Sequence, residues 1–210
     1  MAPARPTVPA ASDRPAHRPS AREAMLDAAE AHLGEGGTLT LDSAARAAGV
    51  PKPGLMYHFS TKEELLGAIL DRMTARCERE MLEQVAGRHP VAGDDLASAS
   101  ADQRHLAYLD WACRAELSAA DLVIFADPHL RVPLPERWQE QLETWLHVPA
   151  GVGPDRRARL LAERLMADGL WFDRAAGLLD QVGAEAQRLR SLAAALLDEA
   201  TAAPTGGEAP

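Results

Sequence analysis

Aromatic residues are scarce in this chain, at 4% of 210 residues, so Leu and Ala must fill most of any interior. Hydrophobic residues still reach 47%, enough for a sizeable core. β-Branched residues are also few, and Ala and Leu are strong helix formers, which points to an all-α protein. Only two cysteines occur, Cys77 and Cys113, far apart and without paired spacing. That excludes a disulfide scaffold and predicts reduced, partly buried thiols. No apolar run approaches membrane-spanning length, and the first twenty residues lack the apolar stretch of a secretory signal. A soluble, cytoplasmic protein without membrane contact is expected. The formal net charge is −9, which excludes a general nucleic-acid coater. The histidines show no metal-ligand spacing with Cys or Glu, and His105 and Cys113 need not share a helix face. There is no nucleophile elbow, phosphate loop or dinucleotide fingerprint. Accordingly no catalytic residue, metal or cofactor is expected, and the chain does not read as an enzyme.

Residues 1–19 are rich in Pro, Ala and Arg and read as a disordered arm, and 202–210 as a similar tail. Ser20 and Glu23 form a capping box that starts a first helix, with Met25, Leu26, Ala29 and Leu33 at helical spacing. Thr40 is the expected N-cap of a short helix from Leu41 to Ala48. Gly49 breaks it, and Pro51 and Pro53 permit a new helix start, ending near His58. Ser60 and Thr61, with Glu63 or Glu64, offer caps for a long helix from Lys62 to Ala86. A loop from Gly87 to about Asp95 follows, and then helical segments at 99–116, 118–126, 135–146, 155–176 and 181–200.

Residues 40–70, TLDSAARAAGVPKPGLMYHFSTKEELLGAIL, carry the functional signal. Two short helices joined by a tight Gly turn make a helix-turn-helix, whose second helix enters the DNA major groove. Ala44, Ala45 and Ala48 are small enough for close helix approach, while Val50 and Leu55 can pack inward. The chain's only two lysines, Lys52 and Lys62, both fall in this stretch. Through Leu66 seven basic residues face eight acidic ones, a net charge of −1. Affinity for DNA must therefore come from the placement of Arg46, Lys52 and Lys62. Arg5, Arg14 and Arg18 of the arm either reach the minor groove or stay solvated.

This stretch resembles the DNA-binding region of the tetracycline-repressor (TetR) family, over about Ser20 to Leu70. Its most specific part is AGVPKPGLMYHFSTKEELL. The resemblance implies that Thr40 caps the second helix and meets a phosphate, and that Lys62 binds another. It implies that Tyr57 and His58 touch the DNA backbone and that Lys52, Pro53 and Gly54 face the bases. Of these three, only Lys52 can donate to a guanine edge. The sequence departs from the family pattern at Pro51 and Pro53, which stand where Ser and Gly are usual, and at Met56, where Tyr is frequent.

The resemblance further implies a domain at 20–66 that binds DNA and a helical effector-binding and dimerisation domain at 67–201. Leu161, Leu165, Leu189, Leu192 and Leu196, on the last two helices, are the expected homodimer contacts. His105, Tyr108, Trp111, Phe125, Trp138 and Trp145 are the candidate lining of a small-molecule pocket. The proline-rich stretch 125–138 reads as a loop. The expected function is a sequence-specific transcriptional regulator, a repressor released from a palindromic double-stranded DNA operator by an effector. The alternative is a helical dimeric ligand-binding protein that no longer binds DNA.

Overall fold

A computed structural model of the chain describes residues 20–87, 96–130, 132–179, 182–183 and 185–198. Among these residues the regular structure is helical and no strand occurs. The fold is all-α, and the described residues form eight α-helices: α1 (Ala21–Gly34), α2 (Leu41–Ala47), α3 (Lys52–His58), α4 (Lys62–Ala86), α5 (Ala101–Arg114), α6 (Pro133–Trp145), α7 (Pro154–Ala175) and α8 (Glu185–Asp198). Three 3-10 segments, Leu96–Ser98, Ala119–Phe125 and Pro128–Leu130, join them. The expected arm at 1–19, the tail at 202–210 and most of the loop after Gly87 lie outside the described residues. No helix among the described residues is long and apolar enough to cross a membrane.

The N-terminal unit is assembled by local signals. Ser20 Oγ accepts the Glu23 N–H at 3.2 Å and starts α1. Met25, Leu26, Ala29 and Leu33 then form its buried stripe, one helical face. Leu39, Ala44, Ala45, Leu55 and Phe59 complete a small aliphatic core with Leu65 and Leu66 of α4. α4 is the shared element. Its stripe of Leu65, Leu66, Ile69, Leu70, Met73, Cys77, Met81 and Val85 is buried along its whole length, first against the N-terminal unit and then against α5.

In the C-terminal region α5 is central and packs on α4, α7 and α8. It is buried nearly all round, including Arg104, His105 and Asp110. Buried polar groups must be hydrogen-bonded to be tolerated. Arg104 donates to the Ala99 and His147 carbonyls, and Arg190 of α8 donates to Asp110 at 2.7 Å. Arg174 of α7 donates to the Ala112 and Ala115 carbonyls, which closes the C-terminal end of α5.

Two expectations are corrected. The segment expected as helical at 118–126 is 3-10 over Ala119–Phe125, opened by a reciprocal Ser118–Asp121 cap and interrupted at Leu122, whose backbone lies outside helical geometry. The stretch 125–138 is not one loop. It divides into a 3-10 turn and the opening of α6, where Pro133 and Pro135 sit in the first turn, the one place a helix accepts proline freely.

Candidate nucleic-acid interface

The turn between α2 and α3 depends on Gly49, whose φ is +65°. A side chain there would meet no neighbour, so the demand for glycine is one of backbone conformation alone. Thr40 Oγ1 accepts the Ser43 N–H at 3.0 Å while Ser43 Oγ accepts the Thr40 N–H at 2.9 Å, a reciprocal cap that fixes the start of α2. α3 follows Pro51 in extended conformation. Leu55 and Phe59, four residues apart, are buried, and Arg22 of α1 lies over the Phe59 ring at 4.9 Å. That anchoring turns Lys52, Pro53, Gly54, Met56 and Tyr57 outward. Tyr57 is 86% exposed. His58 is half-buried and meets the Tyr57 ring edge-on at 5.1 Å.

α4 begins beside this surface. Thr61 Oγ1 accepts the Glu64 N–H at 3.1 Å, and Ser60 donates both its N–H and its hydroxyl to the Glu64 carboxylate. Those hydrogen bonds from Ser60 hold the Glu64 carboxyl below its ordinary value. Of the caps offered by the sequence, Thr61 and Glu64 are the pair used.

The two lysines differ from expectation in one respect, since each already has a carboxylate. Lys52 Nζ donates to Asp42 Oδ2 at 2.9 Å, across from α3 to α2. Lys62 Nζ meets Asp127 Oδ2 at 2.6 Å, and its side chain is 29% exposed. Neither is turned into the interior. Arg46 is exposed on the last turn of α2. Thr40, Arg46, Lys52, Pro53, Gly54 and Tyr57 thus lie at the surface of one three-helix unit, with Lys62 at its edge.

The residues named for an effector pocket are not gathered around one opening. His105, Tyr108, Trp111, Trp138 and Trp145 are buried in the core between α5, α6 and α7, whereas Phe125 is 52% exposed and meets Phe172 of α7 edge-on. Trp138 stacks on Trp171 at 5.7 Å and meets Trp145 edge-on at 6.0 Å. His105 Nδ1 lies 2.8 Å from Glu163 Oε2, and the Tyr108 hydroxyl donates to Asp168 at 2.8 Å. Burial pushes the Glu163 carboxyl up, and the same cause raises the Tyr108 hydroxyl well above its usual value. The other Glu163 oxygen and the indole N–H groups of Trp111, Trp145 and Trp171 have no hydrogen-bond partner among the described residues. A separate cleft of about 710 Å³ lies where α1, α4 and the residues after α5 meet, lined in part by Asp27, Glu30, Arg76, Glu80 and Asp121.

Of the named dimer residues, Leu161, Leu165 and Leu192 are largely exposed, and Leu189 and Leu196 are half-buried. Reading the sequence missed Asp42, Asp127, Glu163 and Trp171. Asp42 stands one turn before Arg46 and carried a weak charge signal. Nothing local marks Glu163 or the pairing of Asp127 with Lys62, since those partners are far along the chain.

The geometry defines a class: an all-helical protein with an outward-facing helix-turn-helix followed by a larger helical region. Residues 25–69 match the family model described as bacterial regulatory proteins, tetR family. Residues 25–69 are thus similar to the N-terminal helix-turn-helix domain of that family. Among solved structures, a TetR-family transcriptional regulator from Rhodococcus sp. is similar at 18% identity with a TM-score of 0.59, over 87% of this chain and 99% of that one. A TetR family transcription regulator from Marinobacter aquaeolei VT8 aligns at 16% identity and a TM-score of 0.47, over 84% and 94%. The multidrug binding protein EbrR, complexed with imidazole, aligns at 21% identity and a TM-score of 0.48, over 85% and 96%. No curated protein matches the sequence.

Proposed function

We propose that the chain is a homodimeric repressor that reads a palindromic operator with α3 and leaves it when a small-molecule effector binds. One observation carries the reading of DNA contact. The turn-bearing face of α2 and α3 presents Thr40, Arg46, Lys52, Pro53, Gly54 and Tyr57 outward, while Leu55 and Phe59 hold the helix from behind. In this reading Lys52 reaches a base edge beside Pro53 and Gly54, and Thr40, Tyr57, His58 and Lys62 meet backbone phosphates.

The dimer is supported by an apolar stripe on α7. Leu161, Leu165, Gly169 and Phe172 recur at helical spacing and face outward, and Leu192 of α8 does the same at 64% exposure. Two copies joined there by α7 and α8, with Leu189 and Leu196 at the edge, would present two α3 helices to successive major-groove half-sites. The effector site is proposed among His105, Tyr108, Trp111, Trp138 and Trp145, with Phe125 toward its surface. The unpartnered indole N–H groups and Glu163 oxygen support it, because a ligand with hydrogen-bonding edges would satisfy groups now left bare.

Selection of bound sequences from random duplex DNA by the purified protein tests the central claim. Lys62→Ala should weaken all selected sites alike, and Lys52→Ala should change which bases are preferred. Recovery of no preferred sequence would overturn it. The ion pairs on both lysines favour one other reading, a dimeric ligand-binding protein without DNA affinity, which that result would leave standing. Tryptophan fluorescence, which reports only α5, α6 and α7, should respond to flat effectors. Leu165→Glu should give monomers in sedimentation.

A further inference from the structure

The two lysines of the interface are held in different ways. Lys52 pairs with Asp42, a residue of the same three-helix unit. Lys62 pairs with Asp127, which belongs to the C-terminal region and lies between the 3-10 segments Ala119–Phe125 and Pro128–Leu130. The Nζ–Oδ2 distance is 2.6 Å, and the Asp127 side chain is 10% exposed. Asp127 is not a loose surface carboxylate. Its Oδ1 accepts the His129 N–H at 2.8 Å, which pins the group at the head of the second 3-10 segment. The hydrogen bond from Lys62, then that from His129, holds its carboxyl below the ordinary value, so it stays charged.

The segment that carries Asp127 is built into the C-terminal region. Val123 and Ile124 are buried, Asp121 pairs with Arg76 of α4, and Ala119–Phe125 packs on α1, α4, α6 and α7. Where Asp127 sits is therefore set by how those helices pack. Lys62, by contrast, opens α4 next to the outward face of α3. An ammonium bound to a carboxylate at this distance has less of its charge to give a phosphate. Asp127 and a DNA phosphate oxygen compete for the same donor.

We infer that Asp127 is a positioning residue that withholds Lys62 from DNA while the 119–130 segment is docked as described, and releases it when that segment shifts. The C-terminal region thereby sets DNA affinity through one ion pair. This rests on the reading of Lys62 as a phosphate contact.

The test uses the full chain, a duplex selected from random sequence and binding measured across a salt series. Asp127→Asn keeps an acceptor for the His129 N–H and removes only the charge. It should tighten DNA binding about two- to fivefold, the worth of one partly exposed ion pair. The slope of log Kd against log salt should steepen by about one for each half-site, since another phosphate is neutralised. In the Lys62→Ala background the same change should do nothing to affinity or slope. Asp127→Ser, an equally short cap, should repeat the result if the Asn variant melts early. Unchanged or weaker binding by both variants, with Lys62→Ala itself weakening DNA binding, overturns the inference and leaves the phosphate contact standing. If Lys62→Ala costs the Asp127→Asn variant no DNA affinity, the phosphate contact itself is wrong and the inference falls with it.

Discussion

The three helices before Lys62 and the helices after it are held together by contacts of different range. In the N-terminal unit α1 and α2 start on caps within three residues, Ser20 with Glu23 and Thr40 with Ser43, α3 starts after Pro51, and Thr61 with Glu64 starts α4. Its turn is set by one glycine, and its core is small and mostly aliphatic. In the C-terminal region the defining contacts are long-range. Residue separations are 58 for His105 and Glu163, 60 for Tyr108 and Asp168, and 80 for Asp110 and Arg190. All four tryptophans lie there. A region specified locally can keep a recognisable sequence pattern and a fixed surface. A region specified at long range can change its interior without losing its helices.

The tryptophans make this contrast measurable, because their fluorescence is blind to the N-terminal unit while far-UV circular dichroism sees both regions. Phe59→Ala should have the largest effect, about 3–5 kcal/mol for a buried aromatic ring. DNA binding should vanish and the dichroism melt should begin earlier, with the fluorescence melt little moved. Coincident melts would break the comparison by showing one cooperative unit, coupled through α4. Tyr108→Phe does the converse. It strips the Asp168 hydrogen bond from a buried site, costing about 1–3 kcal/mol, and should shift the fluorescence melt while DNA affinity holds.

Smaller effects sharpen the local half. Gly49→Ala meets no steric obstacle, so only the left-handed backbone opposes it, at about 1–2 kcal/mol. DNA binding should fall more than global stability, because the α2–α3 angle shifts. Equal losses in both would show that the turn serves stability alone. Thr40→Ala removes one half of a reciprocal cap and should cost about 1 kcal/mol in chemical denaturation. DNA affinity should fall as well, and an unchanged affinity would leave Thr40 as a cap only.

The same division explains what could be read in advance. The boundaries of α3 and α4 and the cap at Thr40 follow from neighbours in sequence, whereas most of the candidate DNA-facing residues came from the resemblance to the family's motif. Caps, turns and apolar stripes act within four or five positions, where the chain itself holds the partners close. The Pro-rich stretch 125–138 misled, because proline prohibits a helix interior but suits its first turn. The candidate pocket residues were chosen by type. Five of them are buried in the core, yet no local feature foretold that Glu163 and Trp171 would join them, or that Phe125 would stay outside.

By itself the sequence determined an all-helical chain with a helix-turn-helix near its start, through composition, caps and one glycine. Only the tertiary structure decided that Lys62 answers to Asp127, that Glu163 answers to His105, and which leucines of α7 remain uncovered. Those pairings join residues far apart in the chain. Their proximity is fixed by how whole helices pack, and no local preference encodes it.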